Sequence, residues 1–483
     1  MDKNLKNLKK IDIFEWVLRL AKTKKRKVYL VGGYLRDLIL NRPKEMLDLD
    51  FAIDKDSIKF SHTLAKKLKA DFVILDKAHG STRIIYADKK QKYTLDFTDF
   101  RGKNLLEDLR YRDFTINALA IDLEKIKKAN NFNNLIIDLS SGKVDLAKKQ
   151  IKITDRANFD DDPLRILRAF SLSATLGFKI EKNTLALIKK KKNLIKNSAF
   201  ERIREELFKI LKVKNSHSFL KTLDEIKLLS KIIPEIELMR GVKQGPYHHL
   251  DVWDHSIETL RQLELLFEEL KHKLIINKYL NDKIGNEHSR RDLIKLSALM
   301  HDIGKPQTLK IEKGRRCFHG HERLGYKITK NICQRLKLSN KEIDAINKMI
   351  FWHLRPGYLA DTLTPTKRAV FRYFRDAGEE GISTLLLSIA DKRSTCGKLT
   401  SKKNRQQHEK IVFGLISEYF LKKKEKQLPR FINGDDLIKK FKLQPSPLIG
   451  KILREVEEIQ AIGKIHSKKE ALDLAEKILN KIP

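Results

Sequence analysis

The chain has 483 residues, 41% hydrophobic and 34% charged, enough to bury a sizeable core and, at the usual domain size, to form roughly three domains. Its formal charge of +38 suits a polyanionic partner such as nucleic acid, although lysine is spread from end to end, as a Lys-rich proteome would produce in any protein. No apolar run approaches transmembrane length and Met1-Asp2-Lys3-Asn4 opens no signal peptide; Cys317, Cys333 and Cys396 have neither disulfide-framework nor zinc-site spacing, so a cytoplasmic protein without membrane contact is expected.

Residues 1–25 read as one amphipathic helix, with Leu5, Leu8, Ile13, Trp16, Val17 and Leu20 near helical spacing. Short β-branched or aromatic runs follow at 28–31, 48–53, 72–75, 82–87, 93–100, 115–123 and 135–139, which predicts an α+β head with a mixed sheet over 26–154. From Asp162 onward the pattern is helical throughout. A helical neck is expected over 155–245, a second helical domain over 246–400 after the Gly245-Pro246 break, and over 401–483 a linker helix flanked by Lys402, Lys403 and Lys422 to Lys426, then a small basic tail.

The head carries the first chemistry. In Val28-Tyr-Leu-Val-Gly-Gly-Tyr-Leu-Arg-Asp37, a strand runs into Gly32 and Gly33, which open a helix whose first N–H groups can face a phosphate with no Cβ in the way. Arg36 is placed to reach phosphate oxygens, and Asp37 favours the helix start or is a plain first-turn carboxylate. In Leu47-Asp-Leu-Asp-Phe51 the two carboxylates, Asp48 and Asp50, share one face of a strand about 7 Å apart. Opposite them Leu47, Leu49, Phe51 and Ile53 form an apolar face, so the acidic pair reads as a site for divalent metal rather than as a solvated edge. Asp96, sharing strand parity with Thr94 and Thr98, would join them if its strand lies adjacent; Asp99 would not. Nucleotidyl transfer needs cations around the phosphates, and Arg110-Tyr-Arg112-Asp113-Phe-Thr-Ile-Asn117 supplies them. In Asp160-Asp-Asp162-Pro163-Leu-Arg165-Ile-Leu-Arg168, Asp162 is a natural N-cap and Pro163 fits the first turn; Arg165 and Arg168 share a face, either solvated or presented to a base edge.

The stretches LVGGYLRD, LDLDFAI, LRYRDFTINALA and DDPLRILRAFSLSATLGF, spanning residues 28 to about 180, resemble in combination and order the bacterial-type (class II) tRNA nucleotidyltransferase and poly(A) polymerase family of the polymerase-β superfamily. The resemblance implies Mg2+ on Asp48 and Asp50, triphosphate contacts from Arg112, Asp113 and Asn117, and reading of the incoming base by Asp162 and Arg165. Asp161 stands where the family's EDxxR motif has Glu, and Tyr111 interrupts the Arg pair of RRDFTxNA.

Nine of the fourteen histidines fall between His248 and His353. His255, His301-Asp302, His321, His353 and Asp391 lie on predicted helices or their ends, where such groups can converge on a bundle core. In this order they resemble the HD-domain phosphohydrolases, which implies a two-metal site bridged by Asp302. Oxygen and imidazole ligands suit manganese, iron, nickel, cobalt or magnesium alike. Lys305 fits a substrate phosphate or a helix end equally, and His248, His249 and His319 are weaker candidates. The tail, Asn433-Gly-Asp-Asp-Leu-Ile438 and Pro445-Ser-Pro-Leu-Ile-Gly-Lys451, resembles that of HD-bearing family members; two short helices with a Gly-Lys turn would either contact RNA through Lys451 or pack on the body.

The expectation is a template-independent enzyme adding C, A or both to tRNA 3′ ends from CTP and ATP with release of pyrophosphate, with an accessory phosphohydrolase activity in the HD domain. Its rivals are a poly(A) polymerase on the same fold, an HD phosphatase or phosphodiesterase whose head only binds RNA, and a non-catalytic tRNA chaperone.

Overall fold

The computed structural model describes residues 3–42, 46–88, 91–155, 158–285, 288–362, 364–422 and 429–481. They form two compact units, Met1–Ile210 and Leu211–Pro483, a division that falls inside the expected neck. No helix among the described residues is long and apolar enough to cross a membrane.

The first unit is built on a seven-stranded mixed sheet: β1 (Val28–Val31), β2 (Met46–Ile53), β3 (Asp71–Asp76), β4 (Ser81–Ala87), β5 (Lys92–Asp99), β6 (Leu119–Asp122) and β7 (Ile136–Asp138). The spatial order is β3-β4-β5-β2-β1-β6-β7, with β2 and β5 parallel and every other neighbour antiparallel. Strand alternation gives the sheet two unlike faces. Leu30, Phe51, Ile53, Leu95 and Phe97 bury one face, where Phe51 stacks on Phe97 at 4.7 Å and Phe14 meets Phe51 edge-on. The opposite face carries Val31 and Ala52 beneath Leu109 at the β1 end and the carboxylates at the β2–β5 seam.

The expected single N-terminal helix is two, Lys3–Lys9 and Ile13–Lys24. At about 100° per residue the stripe of Leu5 and Leu8 is out of phase with that of Ile13, Phe14, Val17 and Leu20, so breaking the helix lets both stripes be buried. Trp16 falls between them and is 44% exposed.

Helices dominate from Leu164, with exceptions to the expected all-helical pattern. Lys179–Ile180 pairs in parallel with Gln150–Ile151, and Lys310–Glu312 forms a hairpin with Arg315–Cys317. Turn residues explain the hairpin: Lys313 and Gly314 both adopt positive φ.

The second unit is a helical body followed by the long helix Lys402–Lys422; Lys423 to Lys426 lie outside the described residues. The tail corrects the two-helix expectation. It has three helices, Gly434–Phe441, Pro447–Ala461 and Lys468–Leu479, around a core of Leu437, Ile452, Val456, Ala471 and Ala475. Gly450 and Lys451 make no turn, because Pro447 has already started the helix and an isolated Gly is tolerated within it. Of the two expectations for this segment, packing on the body is observed: Glu458, 2% exposed, accepts from Arg368 and Arg372 on helix Lys367–Ala377.

Candidate functional site

In the head, β1 delivers the chain to Gly32, whose φ of +83° is a conformation L side chains rarely adopt; a Cβ there would stand 2.8 Å from Asp50 Oδ2. Only glycine lets the backbone come this close to the carboxylate. Asp50 pairs with Val31 on one side and with Asp96 on the other, so β2 and β5 are adjacent and the carboxylates of Asp50 and Asp96 stand in one row. Burial pushes the Asp50 carboxyl up to about 6, with Arg112 opposing and Asp96 and Asp48 adding to the rise. Three crowded carboxylates, one held partly against its charge by burial, are the electrostatic condition a divalent ion relieves. Asp96 is engaged besides: Arg83 Nε and Nη2 donate to its two oxygens at 2.9 and 2.8 Å. Asp99, on the other face, accepts from the Ser57 N–H at 2.8 Å.

Asp50, Gly32 and Gly33 line a cavity of about 270 Å³ with five arginines, Arg101, Arg112, Arg165, Arg168 and Arg202. Arg112 donates to Asp108 at 3.2 Å, while its buried Nε makes no hydrogen bond. Asp113 accepts from Asn117 and is paired with Arg168 at 2.9 Å. Burial alone would raise its carboxyl, but Arg168, Asn117 and Arg165 outweigh that and hold it below the usual range. Arg36 departs from its expected place at the phosphates. It is buried, and its Nε and Nη1 donate to Asp37 and Asn117 at 2.9 and 2.7 Å. The chain Asp37–Arg36–Asn117–Asp113–Arg168 thus fixes the cavity floor by charge-assisted hydrogen bonds.

Asp162 departs from its expected N-cap. Pro163 takes that position ahead of helix Leu164–Leu176, and Asp162 instead accepts from Arg202 Nη2 at 2.8 Å. Arg165 is buried one turn on, its Nη2 donating to the Tyr111 carbonyl at 2.8 Å, so its fork is held rigid at the cavity wall. Burial lowers the Arg165 guanidinium, opposed by Asp113.

In the body, five helices bring the second set together. Asp302 divides it: Oδ2 faces His301 Nε2 at 3.2 Å and His255 Nε2 at 3.7 Å, and Oδ1 faces His321 Nε2 at 3.4 Å and His353 Nε2 at 3.7 Å. Asp391 completes the first group, 2.9 Å from His255, and the two distal imidazoles lie 3.2 Å apart. The Nδ1 atoms of His301, His321 and His353 are turned to the carbonyls of Ala298, Phe318 and Ile350, which places a proton on each Nδ1 and turns each Nε2 toward the cluster as the ligand atom. His301 Nε2 is buried and makes no hydrogen bond despite the carboxylate beside it, as a nitrogen aimed at a cation would be. Burial works against charge on Asp302 and Asp391, but the imidazoles, with Lys305 at Asp302, outweigh it and hold both carboxyls well below their usual range. Two groups sharing one bridging carboxylate fit a pair of divalent ions.

Lys305 does not cap a helix end: its ammonium donates to Asp302 Oδ2 at 2.6 Å and to Gln244 at 2.7 Å, at the edge of a cavity it lines with His321. His248 packs edge-on against the ring of His255, held neutral by burial, which lowers it to about 3. His249 is exposed, and His319 lies 3.5 Å from Glu312.

The poly A polymerase head domain family matches residues 28–152, the probable RNA and SrmB-binding site of polymerase A matches 177–239, and the HD domain matches 252–396. The chain is 28% identical to the A-adding tRNA nucleotidyltransferase of Deinococcus radiodurans, over 92% of this chain and 93% of that one. It is 30% identical to the multifunctional CCA protein of Haemophilus influenzae, over 65% of this chain and 71% of that one. The chain belongs to the tRNA nucleotidyltransferase and poly(A) polymerase family. The fold agrees with this: the Thermotoga maritima CCA-adding enzyme, solved in complex with tRNA, superposes with a TM-score of 0.60 at 21% identity, covering 99% of this chain and 96% of that one.

Within this nucleotidyltransferase family member, sequence reasoning missed Arg101 and Arg202 as cavity residues. Arg101 stands two residues after the acidic strand, which was a usable signal; Arg202 lies in the charged run Glu201-Arg-Ile-Arg-Glu-Glu206, and only packing brings it to Asp162. Gly304 was missed too. A Cβ there would meet the His321 carbonyl at 2.2 Å, so glycine allows the His301-Asp302 turn to close on the helix bearing His321.

Proposed function

We propose that the protein is a cytoplasmic template-independent nucleotidyltransferase that adds C, A or both to tRNA 3′ ends from CTP and ATP. The observation that carries this reading is the cavity that Asp50, beneath Gly32, lines together with Asp162 and five arginines, Arg165 among them. Asp48 and Asp50, with Asp96 beside them, would hold Mg2+. Bound there, divalent ions supply Lewis acidity to the attacking and leaving oxygens. Gly32 and Gly33 present backbone to the triphosphate, and Arg112, with Asn117 and Asp113 ordering Arg168, neutralises its charge. The tRNA 3′-oxygen forms the new bond to the α-phosphorus, the bond from that phosphorus to the β-phosphate oxygen breaks, and pyrophosphate leaves; the hydroxyl proton passes to Asp96 or to bulk water. Arg165, fixed through Tyr111, presents its remaining donors to the base edge alongside Asp162.

The test supplies tRNAs ending before the first C, after it and after CC, with each nucleotide alone. C addition to the first two, or A addition to the third, is expected; repeated A addition to any RNA end would make the protein a poly(A) polymerase. Arg165→Ala is expected to lower the preference for CTP and ATP over UTP at least about tenfold, since a buried donor that rejects the wrong base edge is lost. Unchanged selectivity would remove Arg165 from base reading.

A second reading concerns the body. The bridging position of Asp302 supports a metal-dependent phosphohydrolase acting on tRNA ends or nucleotides, beside a cavity of about 680 Å³ lined by His321, Lys305, Arg323, Arg355 and Trp352. Release of phosphate with manganese or nickel, or its absence, decides it.

A further inference from the structure

Arg83 on β4, Asp96 on β5 and Asp50 on β2 are consecutive partners across the sheet, so their side chains form one row. The Asp96 fork takes Nε–H and one Nη2–H of Arg83, which leaves Nη1 on a side chain that is 43% exposed. The row has a direction. At its β1 end Gly32 and Arg112 lie against Asp50, the side read above as taking the triphosphate. In-line displacement puts the attacking and leaving oxygens on opposite sides of phosphorus. The acceptor's 3′-oxygen therefore enters over β5 and β4, where Arg83 stands, and the nucleotide bearing it carries its own phosphodiester. A guanidinium oriented by a carboxylate on one edge presents its other edge as a planar fork suited to phosphate.

We propose that Arg83, oriented by Asp96, holds the 3′-terminal phosphodiester of the RNA acceptor. This rests on the nucleotidyl-transfer reading, and makes Asp96 a positioning residue for the acceptor as well as a neighbour of the metal carboxylates. Neither residue lines the arginine cavity, so acceptor and nucleotide are held by separate groups.

The experiment measures binding of a tRNA lacking its CCA end to the full-length protein across a salt series, together with steady-state incorporation. For Arg83→Ala the Kd for RNA should rise about tenfold and the slope of log Kd against log salt should fall by about one, with KM for the nucleotide within about twofold. Arg83→Lys should recover the slope and only part of the affinity. An acceptor with a neutral methylphosphonate at its last linkage should cost the parent protein the same tenfold and Arg83→Ala nothing further, which locates the contact. Parental affinity and slope in Arg83→Ala, a loss confined to kcat, or equal methylphosphonate penalties in the two proteins would each overturn the proposal. If the parent protein binds RNA but extends it with no nucleotide, the transfer reading falls, while the methylphosphonate comparison still decides Arg83.

Discussion

Asp50→Asn is expected to lower nucleotide incorporation at least about a thousandfold while making the ion-free protein more stable above pH 6. The loss follows from removing a charge required where the phosphates react, in a cavity whose other charged walls are left intact. The gain follows from linkage. Burial raises the folded carboxyl from its ordinary value near 3.8 to about 6, so the folded chain binds the proton more tightly than the unfolded chain does. That contribution to stability is fully present below the unfolded value and is lost as pH rises through about 6, where the folded protein must carry a partly buried charge. Asn keeps the shape and never ionises. Melting in chelator should therefore give a higher Tm for Asp50→Asn than for the parent at pH 8 and nearly equal values at pH 4. Retained incorporation would sink the metal-site assignment, and a lower Tm at pH 8 would sink the account of the raised carboxyl. Asp48→Ala should lose incorporation as well and remain folded, since Asp48 is exposed.

The second large effect is expected at Asp302. Both its oxygens are committed, Oδ2 toward His255 and His301 and Oδ1 toward His321 and His353, and the Lys305 ammonium leans on it. Asp302→Asn should cut the manganese or nickel bound per chain from two ions to one or none and remove any phosphohydrolase activity by at least about a thousandfold. Nucleotide addition, which uses other residues, should persist. Because Lys305 would lose the carboxylate charge it pairs with, His353→Gln serves as the milder variant: it removes a ligand from the distal group alone and should leave one ion bound. Metal analysis that finds two ions in both variants, or fewer than two in the parent protein, would refute the bridged pair.

The candidate sites were legible in unequal parts. Within one strand the period of two settles that Asp48 and Asp50 share a face, and β2 carries them as expected. The spacing and order of His255, His301-Asp302, His321, His353 and Asp391 likewise marked residues that converge. Local patterning could not foresee how side chains already near one another would partner. Arg36 looked like a phosphate ligand because it lies one turn after Gly32, yet Asn117 and Asp37 occupy it. Asp162 had the chemistry of a cap and instead accepts from Arg202, forty residues on.

What the sequence by itself determined about this protein is what periodicity and chain-local chemistry control: the change from strand to helix patterning, the acidic face of β2, the glycine turn and the helical placement of the histidines. What only the tertiary structure decided is which distant groups meet. That β5 returns parallel beside β2 set Asp96 next to Asp50, and the same register put Arg83 beyond it; Asp302 came to face imidazoles with both oxygens only when five helices closed around it. The physical reason is that a local repeat specifies the face on which a side chain stands, whereas its partner across that face is selected by packing of the whole core, which buries Phe51 against Phe97 and so brings the carboxylates together on the other side of the sheet.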